Sequence, residues 1–394
     1  MLKLVTMNKV VSLLLLYMFA LKINAQQKPV VVFESGKDGY SHYRIPAIIG
    51  LPGNRLLAFC EGRVNNAGDF GNIDIVMKIS DDNGATWSKM KIVVDADSLQ
   101  AGNPAPVIDM TDPAYPKGRI FLFYNTGNNH ENEVRKGKGV REVWYITSTD
   151  GGRTWTVPVN ITTQVHRPNQ PEKNSAYIFE EDWRSYANTP GHAMQFDSGK
   201  FKGRIFVAAN HSAGEPQTLS TDYYAHGFYT DDHGKTFKPG AAVSIAGSNE
   251  SSAAQLAGDK LMMNSRNQKG DIKARIVSIS SNGGVSWDTS YFDKNLPDPV
   301  NEGSLLRVKN DKGNSVLIFT NAADTVQRNN LTMRISKDEG KTWYKDYVVD
   351  TNKSYAEDYT AYSDLVALSY YNIGVLYEKE DYSKIVFKVV RWSE

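Results

Sequence analysis

The chain has a single cysteine, almost no net charge and no long apolar run beyond its first residues, and each absence removes a class of protein. With Cys60 alone among 394 residues, no internal disulfide can form. Cys60 lies in the apolar stretch Leu56-Leu57-Ala58-Phe59 and reads as a small buried hydrophobe. A formal net charge of +1 excludes a polyanion-binding field over the whole surface. The basic loop Arg135-Lys136-Gly137-Lys138 lacks interleaved aromatics and reads as a solvated insertion, not a nucleic-acid site. Beyond the N-terminus nothing is apolar enough to span a bilayer, and no long stretch carries helical periodicity. There is no histidine pair at metalloprotease spacing and no Walker or dinucleotide-binding pattern. Asp81-Asp82-Asn83-Gly84 resembles a calcium loop only at first glance, because the ligand spacing and closing glutamate of an EF-hand are missing. Neither a cofactor nor a catalytic metal is expected.

The N-terminus is different. Lys3 and Lys9 precede an apolar run from Val10 to Leu21, and Ala25 follows. A basic segment, a short apolar segment and a small residue are the three parts of a secretory signal, so residues 1–25 are expected to be removed. The mature chain would start at Gln26 and reach a periplasmic, cell-surface or secreted location. Residues 26–394 are rich in Tyr, Val, Ile, Thr and Gly, which favours one large all-β domain, and a monomer is expected.

What is present in quantity is a repeat. The pattern S/T-x-D-x-G-x-T-W/F occurs at Ser80-Asp82-Gly84-Thr86-Trp87, Ser148-Asp150-Gly152-Thr154-Trp155, Thr230-Asp232-Gly234-Thr236-Phe237 and Ser336-Asp338-Gly340-Thr342-Trp343. A worn copy stands at Ser280-Asn282-Gly284-Ser286-Trp287. Each part suits a tight hairpin: the aspartate accepts from turn N–H groups, the glycine supplies positive φ, and the aromatic ring anchors the loop. A four-stranded propeller blade needs roughly 40–50 residues plus loops, so the spacing predicts a six-bladed β-propeller whose sixth blade lacks the motif. Val30-Val31-Val32-Phe33 and Ile385-Val386-Phe387 are expected to share that blade and close the ring.

These repeats resemble the Asp boxes, or BNR repeats, of the exo-alpha-sialidase (neuraminidase) family, and the resemblance covers essentially the whole mature chain. Fold alone does not give function, so residues outside the boxes decide. Sialic acid carries a carboxylate on its anomeric carbon, and guanidinium forks suit it. Tyr43-Arg44-Ile45-Pro46 matches the family signature that supplies the first of three arginines; Arg266 in Asn264-Ser265-Arg266 and Arg328 before the last box match the other two. The resemblance makes Glu378 the support of the first arginine. It makes Tyr362 in Thr360-Ala361-Tyr362-Ser363-Asp364 the nucleophile, with Glu250 as its base. A neutral phenol can approach a carbon that bears a carboxylate where an Asp or Glu nucleophile would be repelled. The stretch from Glu61 to Asp69 resembles the family's mobile acid/base loop, with Asp69 as acid/base and Arg63 toward the 4-hydroxyl; Asp74, on an alternating strand, is the rival. Asn103 stands where many bacterial relatives carry aspartate, which affects sugar preference and not the reaction. Thr189-Pro190-Gly191-His192 and Asn210-His211 are expected along the glycerol or aglycone side.

The implied activity is retaining hydrolysis of terminal sialic acid from glycoproteins, glycolipids and oligosaccharides, with sialylated glycans as partners. A non-catalytic sialic-acid-binding propeller, an interaction propeller and a trans-sialidase remain alternatives. Sequons at Asn249 and Asn330 would place glycans in the proposed site, which favours a source where sequons are not used.

Overall fold

A computed structural model describes residues 28–352 and 359–392; the expected signal segment lies outside them. Strands dominate, and their hydrogen bonding gives five sheets. The widest, of eight strands, divides into two four-stranded halves joined by a single parallel pair, Ile73 with Gln100. Counted this way the chain builds six blades: residues 42–94, 100–160, 183–239, 248–297 and 303–350 form blades 1 to 5. Blade 6 combines Thr360–Ser369, Asn372–Lys379 and Lys384–Arg391 with the N-terminal strand Val30–Glu34. Val30–Glu34 pairs antiparallel with Lys384–Arg391, so the two ends of the chain close the ring as expected. Inner strands of successive blades touch all the way round, with Thr360–Ser369 meeting His42–Leu51 at the closure. Among the described residues no helix is long and apolar enough to cross a membrane, and Cys60 is buried.

Each Asp box lies at the turn between the third and fourth strands of its blade. In the first, Asp82 accepts from Thr86 N at 2.9 Å and Thr86 Oγ1 at 2.6 Å, while Ser80 Oγ accepts from Gly84 N at 2.8 Å. The same contacts recur around Asp150, Asp232 and Asp338. In the worn copy Asn282 donates to Ser286 Oγ at 2.8 Å, so the amide preserves the geometry. The aromatic of each box leans on the preceding blade: Trp87 on Phe387, Trp155 on Phe59, Phe237 on Phe123 and Trp287 on Phe206. Trp343 instead donates Nε1 to Asp293 at 3.2 Å. The box is therefore a latch between blades as well as a turn. At Gly84, φ is +88° and a Cβ would stand 2.1 Å from the Phe387 ring, so glycine is required for both conformation and contact. Blade 6 has no box because its third and fourth strands come from opposite ends of the chain, leaving no turn between them.

The centre of the ring is pinned by one buried carboxylate. Asp364 accepts from Ile48 N at 2.8 Å, His192 N at 2.9 Å and Ser304 Oγ at 2.8 Å, and its Oδ1 lies 2.6 Å from His192 Nδ1. Blades 1, 3, 5 and 6 thus meet on a single side chain, two residues beyond Tyr362. Burial alone would lower the His192 pKa, but the Asp364 charge outweighs it and raises it.

Candidate active site

The polar pocket at one end of the ring is built from irregularities in the inner strands. Five inner strands shift register: between Arg44 and Ala47, Gly102 and Ala105, Trp183 and Tyr186, Ser248 and Ser251, and Thr360 and Ser363. Arg44, Asn103, Glu250 and Tyr362 stand at or within these shifts, and a bulge re-aims side chains in this way. Ile45 (φ 60°) and Asn103 (φ 52°) adopt left-handed conformations immediately before proline. For a β-branched residue this is a strained state that the surroundings must hold. Here Ile45 N donates to Glu378 Oε1 at 2.9 Å.

Glu378, fully buried, organises one side. Its carboxylate accepts from Arg44 Nε at 2.7 Å and Nη2 at 3.3 Å, and from the backbone N–H groups of Ile45 and Tyr362, the latter at 3.2 Å. The Arg44 guanidinium also lies 4.0 Å from the Tyr382 ring centroid. Burial alone would lower the Arg44 pKa, and Glu378 more than reverses this. The Tyr362 hydroxyl lies 2.6 and 2.7 Å from the two oxygens of Glu250. Arg266 Nη1 donates to Glu250 at 2.7 Å and to the Tyr362 hydroxyl at 2.8 Å, and the Arg328 guanidinium lies 5.5 Å from the Tyr362 ring centroid. Burial, then the Glu250 charge, push the Tyr362 pKa well up; Arg266, Arg328 and Arg44 oppose them. At neutral pH the phenol keeps its proton, directed at a carboxylate positioned to take it.

On the strand paired with that of Arg44, Arg63 is held by Glu61 through Nη2 at 2.6 Å and Nε at 3.0 Å, and by Asp69 at 2.8 Å. Burial by the site walls would raise the Asp69 pKa, yet Arg63 and then Arg44 bring it below the usual range. Its side chain remains 75% exposed, so solvent weakens the burial penalty and the ion pair decides the direction. Asn103 N donates to Glu61 Oε1 at 2.9 Å, and its side-chain amide to Asn188 O at 3.3 Å. The rival Asp74 lies on strand Ile73–Ser80, where it accepts from Tyr40 at 2.6 Å.

Eight of the nine residues selected from the sequence, Arg44, Arg63, Asp69, Asn103, Glu250, Arg266, Arg328 and Tyr362, line this one pocket. The ninth, Glu378, stands behind Arg44. The loop residues divide. Asn210 lines the pocket, whereas Thr189 donates to Ser251 O, His192 faces Asp364 and His211 stacks on Trp183 at 3.6 Å. The basic loop is not simply solvated: Arg135 pairs with buried Asp222 at 2.7 Å, and Lys136 with Glu133 at 2.6 Å. Glu61 was missed as a site residue, although its place two residues before Arg63 puts both on one face of a strand. Gln100, Asn125, Glu131 and Arg141 also line the pocket, and no local motif marks them.

Residues 54–375 match the model of the BNR repeat-like domain family. Named sialidases match over most of the chain. The chain belongs to a sialidase family with BNR repeats. It is 30% identical over 364 residues to a sialidase of Micromonospora viridifaciens, covering 87% of this chain and 51% of that one. It is 28% identical over 369 residues to an exo-alpha-sialidase of Arthroderma benhamiae, covering 87% and 79%. The chain thus spans about half the length of the Micromonospora relative. Among solved structures, the Hadza microbial sialidase Hz136 superposes with a TM-score of 0.77 at 25% identity, covering 93% of this chain and 68% of that one. A leech intramolecular trans-sialidase shares the fold, with a TM-score of 0.70 at 16% identity over 94% of this chain and 70% of that one.

Proposed function

We propose that the protein is a retaining exo-alpha-sialidase that releases terminal sialic acid from glycoproteins, glycolipids and oligosaccharides. One observation carries the reading: a tyrosine hydroxyl lies within 2.7 Å of both oxygens of Glu250, flanked by the guanidinium groups of Arg44, Arg266 and Arg328. The three arginines bind the substrate carboxylate and place the anomeric carbon over the phenol. Asp69 protonates the departing glycosidic oxygen while Tyr362 attacks and Glu250 takes the phenolic proton. A covalent sialyl-tyrosine forms as the glycosidic bond breaks. Water, losing its proton to Asp69, then attacks the anomeric carbon, and Glu250 returns a proton to the tyrosine oxygen. Two inversions give net retention. The reading as an exported protein rests on the N-terminal pattern alone.

The test is turnover of a fluorogenic α-sialoside by the wild type beside Tyr362→Phe, with proton NMR of the first product formed. Turnover that Tyr362→Phe reduces at least about 10³-fold, with α-sialic acid appearing first, supports the proposal. The β-anomer appearing first would sink double displacement, and a cyclised or transferred product would indicate a trans-sialidase.

A further inference from the structure

The guanidinium groups of Arg44, Arg266 and Arg328 converge on the pocket, and like charges held this close repel unless each is fixed in place. Glu378 fixes Arg44 and Glu250 fixes Arg266. A second tyrosine acts on the same cluster. The Arg44 guanidinium lies 5.4 Å from the Tyr362 ring centroid and 4.0 Å from that of Tyr382. Arg328 donates Nη1 to the Tyr382 hydroxyl at 3.2 Å and Nη2 to Val300 O at 3.3 Å. One side chain thus touches two of the three arginines, with its ring face on Arg44 and its hydroxyl on Arg328. Arg44 and Arg328 line the pocket, whereas Tyr382 does not.

The backbone that presents Tyr382 is strained. Tyr382 lies in the connection between strands Asn372–Lys379 and Lys384–Arg391 of blade 6. Glu380, Asp381 and Tyr382 have φ of 54°, 49° and 62°, three consecutive left-handed residues with no glycine among them. Residues with a Cβ visit this conformation singly and at a cost, not in runs. Such strain persists only where the surroundings hold it, and it collects at functional sites. Here Glu380 N donates to Tyr359 O at 2.9 Å, Ser383 N to Glu380 O at 3.0 Å and Ser35 Oγ to Tyr382 O at 3.2 Å. The Tyr382 ring packs against Ile45, Ala361 and Tyr362, so it meets both the strand that carries Arg44 and the strand that carries the nucleophile.

The chemistry of the residue suits the task. A ring face attracts a cation, and a phenol hydroxyl accepts from a guanidinium while staying neutral. A carboxylate at the same place would form charge-assisted pairs with the two arginines and compete with an incoming carboxylate. Tyrosine holds both cations without cancelling the charge that the substrate must meet.

We infer that Tyr382 is a positioning residue of the arginine triad, holding Arg44 and Arg328 at the spacing that one substrate carboxylate can bridge. The inference rests on the proposed sialidase reading and concerns how that site is prepared for its substrate. Groups fixed before binding lose less freedom when the ligand arrives. The carboxylate is held in the ground state and in the transition state alike, so the effect falls on KM and not on kcat.

The test compares wild type, Tyr382→Phe and Tyr382→Leu by kcat and KM on a fluorogenic α-sialoside and by calorimetric Kd for 2,3-didehydro sialic acid. Tyr382→Phe keeps the ring over Arg44 and removes the bond to Arg328. Its KM and Kd should rise about three- to tenfold, with kcat within about twofold and Tm within about 1 °C. Tyr382→Leu removes both contacts and should raise KM and Kd further. A side chain that only packs would leave Tyr382→Phe with wild-type KM and Kd, and that result overturns the inference. A fall in kcat with KM and Kd unchanged also overturns it, because Tyr382 would then serve the nucleophile and not the clamp. If the wild type binds the didehydro sugar but turns nothing over, the hydrolase reading fails and the Kd series alone decides the inference. If the wild type neither binds nor turns over, the sialoside site fails and the inference with it.

Discussion

The two sides of the pocket are constructed in opposite ways. On the nucleophile side Tyr362, Glu250, Arg266 and Arg44 project from strands, are largely buried, and are cross-linked by hydrogen bonds down to fully buried Glu378. On the acid side Asp69 sits on the loop between strands Arg55–Arg63 and Ile73–Ser80, exposed and tied to the site by the Arg63 ion pair. The proposed chemistry explains the contrast. Tyr362 must meet one carbon in one geometry, and rigid strands supply that. Asp69 must give a proton to one oxygen and take one from a water that arrives later, so it needs to exchange partners. Its carboxyl, held below the usual range by Arg63, is ionised at neutral pH, and protonation requires that pair to loosen when substrate enters.

The largest effect expected from breaking this contrast is at Glu378. Glu378→Ala leaves the Arg44 guanidinium buried without its carboxylate and frees the N–H groups of Ile45 and Tyr362. Removing one member of a buried pair typically costs about 3–5 kcal/mol, so calorimetry should show a large fall in Tm, with activity lost in the fraction that folds. A wild-type Tm would mean that Tyr382 and solvent suffice for Arg44, and that the nucleophile side is less interlocked than its contacts imply.

At Asp69 the opposite pattern is expected, loss of activity without loss of stability. Asp69→Ala should reduce hydrolysis of a natural sialoside by about 10²-fold or more. An activated aryl leaving group needs little protonation and should lose much less, while Tm stays within about 1 °C because surface changes are worth little. Equal losses on both substrates would mean that Asp69 acts on water or on binding, and would remove it as the acid.

A smaller effect separates the boxes from the site. Asp82 holds its turn through Thr86 and Ser80, and these hydrogen bonds bring its pKa down to about 2. Asp82→Ala should cost about 1–2 kcal/mol, seen as a lower Tm with kcat/KM unchanged, since the turn and the pocket lie at opposite ends of the blade. A depressed folded pKa stabilises above the unfolded value and is lost as pH falls, so wild type and variant should converge as pH drops from about 4 toward 2. Reduced activity at full stability would show that the boxes transmit to the pocket.

How much of this could be read from the chain depends on how local the signal is. The boxes are local: each turn closes its hydrogen bonds within five residues, so their spacing displays the propeller directly. The position of Val30–Glu34 followed from the need to close a ring. Site residues such as Arg44 and Tyr362 were readable because family motifs mark them and because bulges leave a trace, in two cases a proline. The Asp364 hub and the Tyr382 bridge left no such trace. Asp364 joins residues up to 316 positions apart, and the bridge exists only once blades 1, 5 and 6 have met. Glu61 was readable in principle from its strand face, but its loop context drew attention to Asp69 instead.

The subtlest distinction lies behind the nucleophile, at Glu302. This carboxyl is 1% exposed; its Oε2 accepts from Ser363 N at 2.9 Å, and its Oε1 has no partner. Burial pushes its pKa well up, and the charges of Asp364 and Glu250 add to this against the Ser363 N–H and Arg275, which oppose it. The folded protein therefore keeps this proton at pH values where the unfolded chain, with a carboxyl near ~4.3, has lost it. A raised folded pKa contributes stability below the unfolded value and loses it as pH rises, because the native state then binds more protons than the unfolded one. Glu302→Gln retains the acceptor for Ser363 N and removes the titration. Its Tm should rise relative to wild type as pH increases from about 4 to 7, by about 1–3 °C, with little change in kcat. A Tm difference independent of pH would mean that Glu302 is ionised in the fold. The ring centre would then hold a second buried anion beside Asp364, and the nucleophile strand would rest on paired charge instead of a neutral acid.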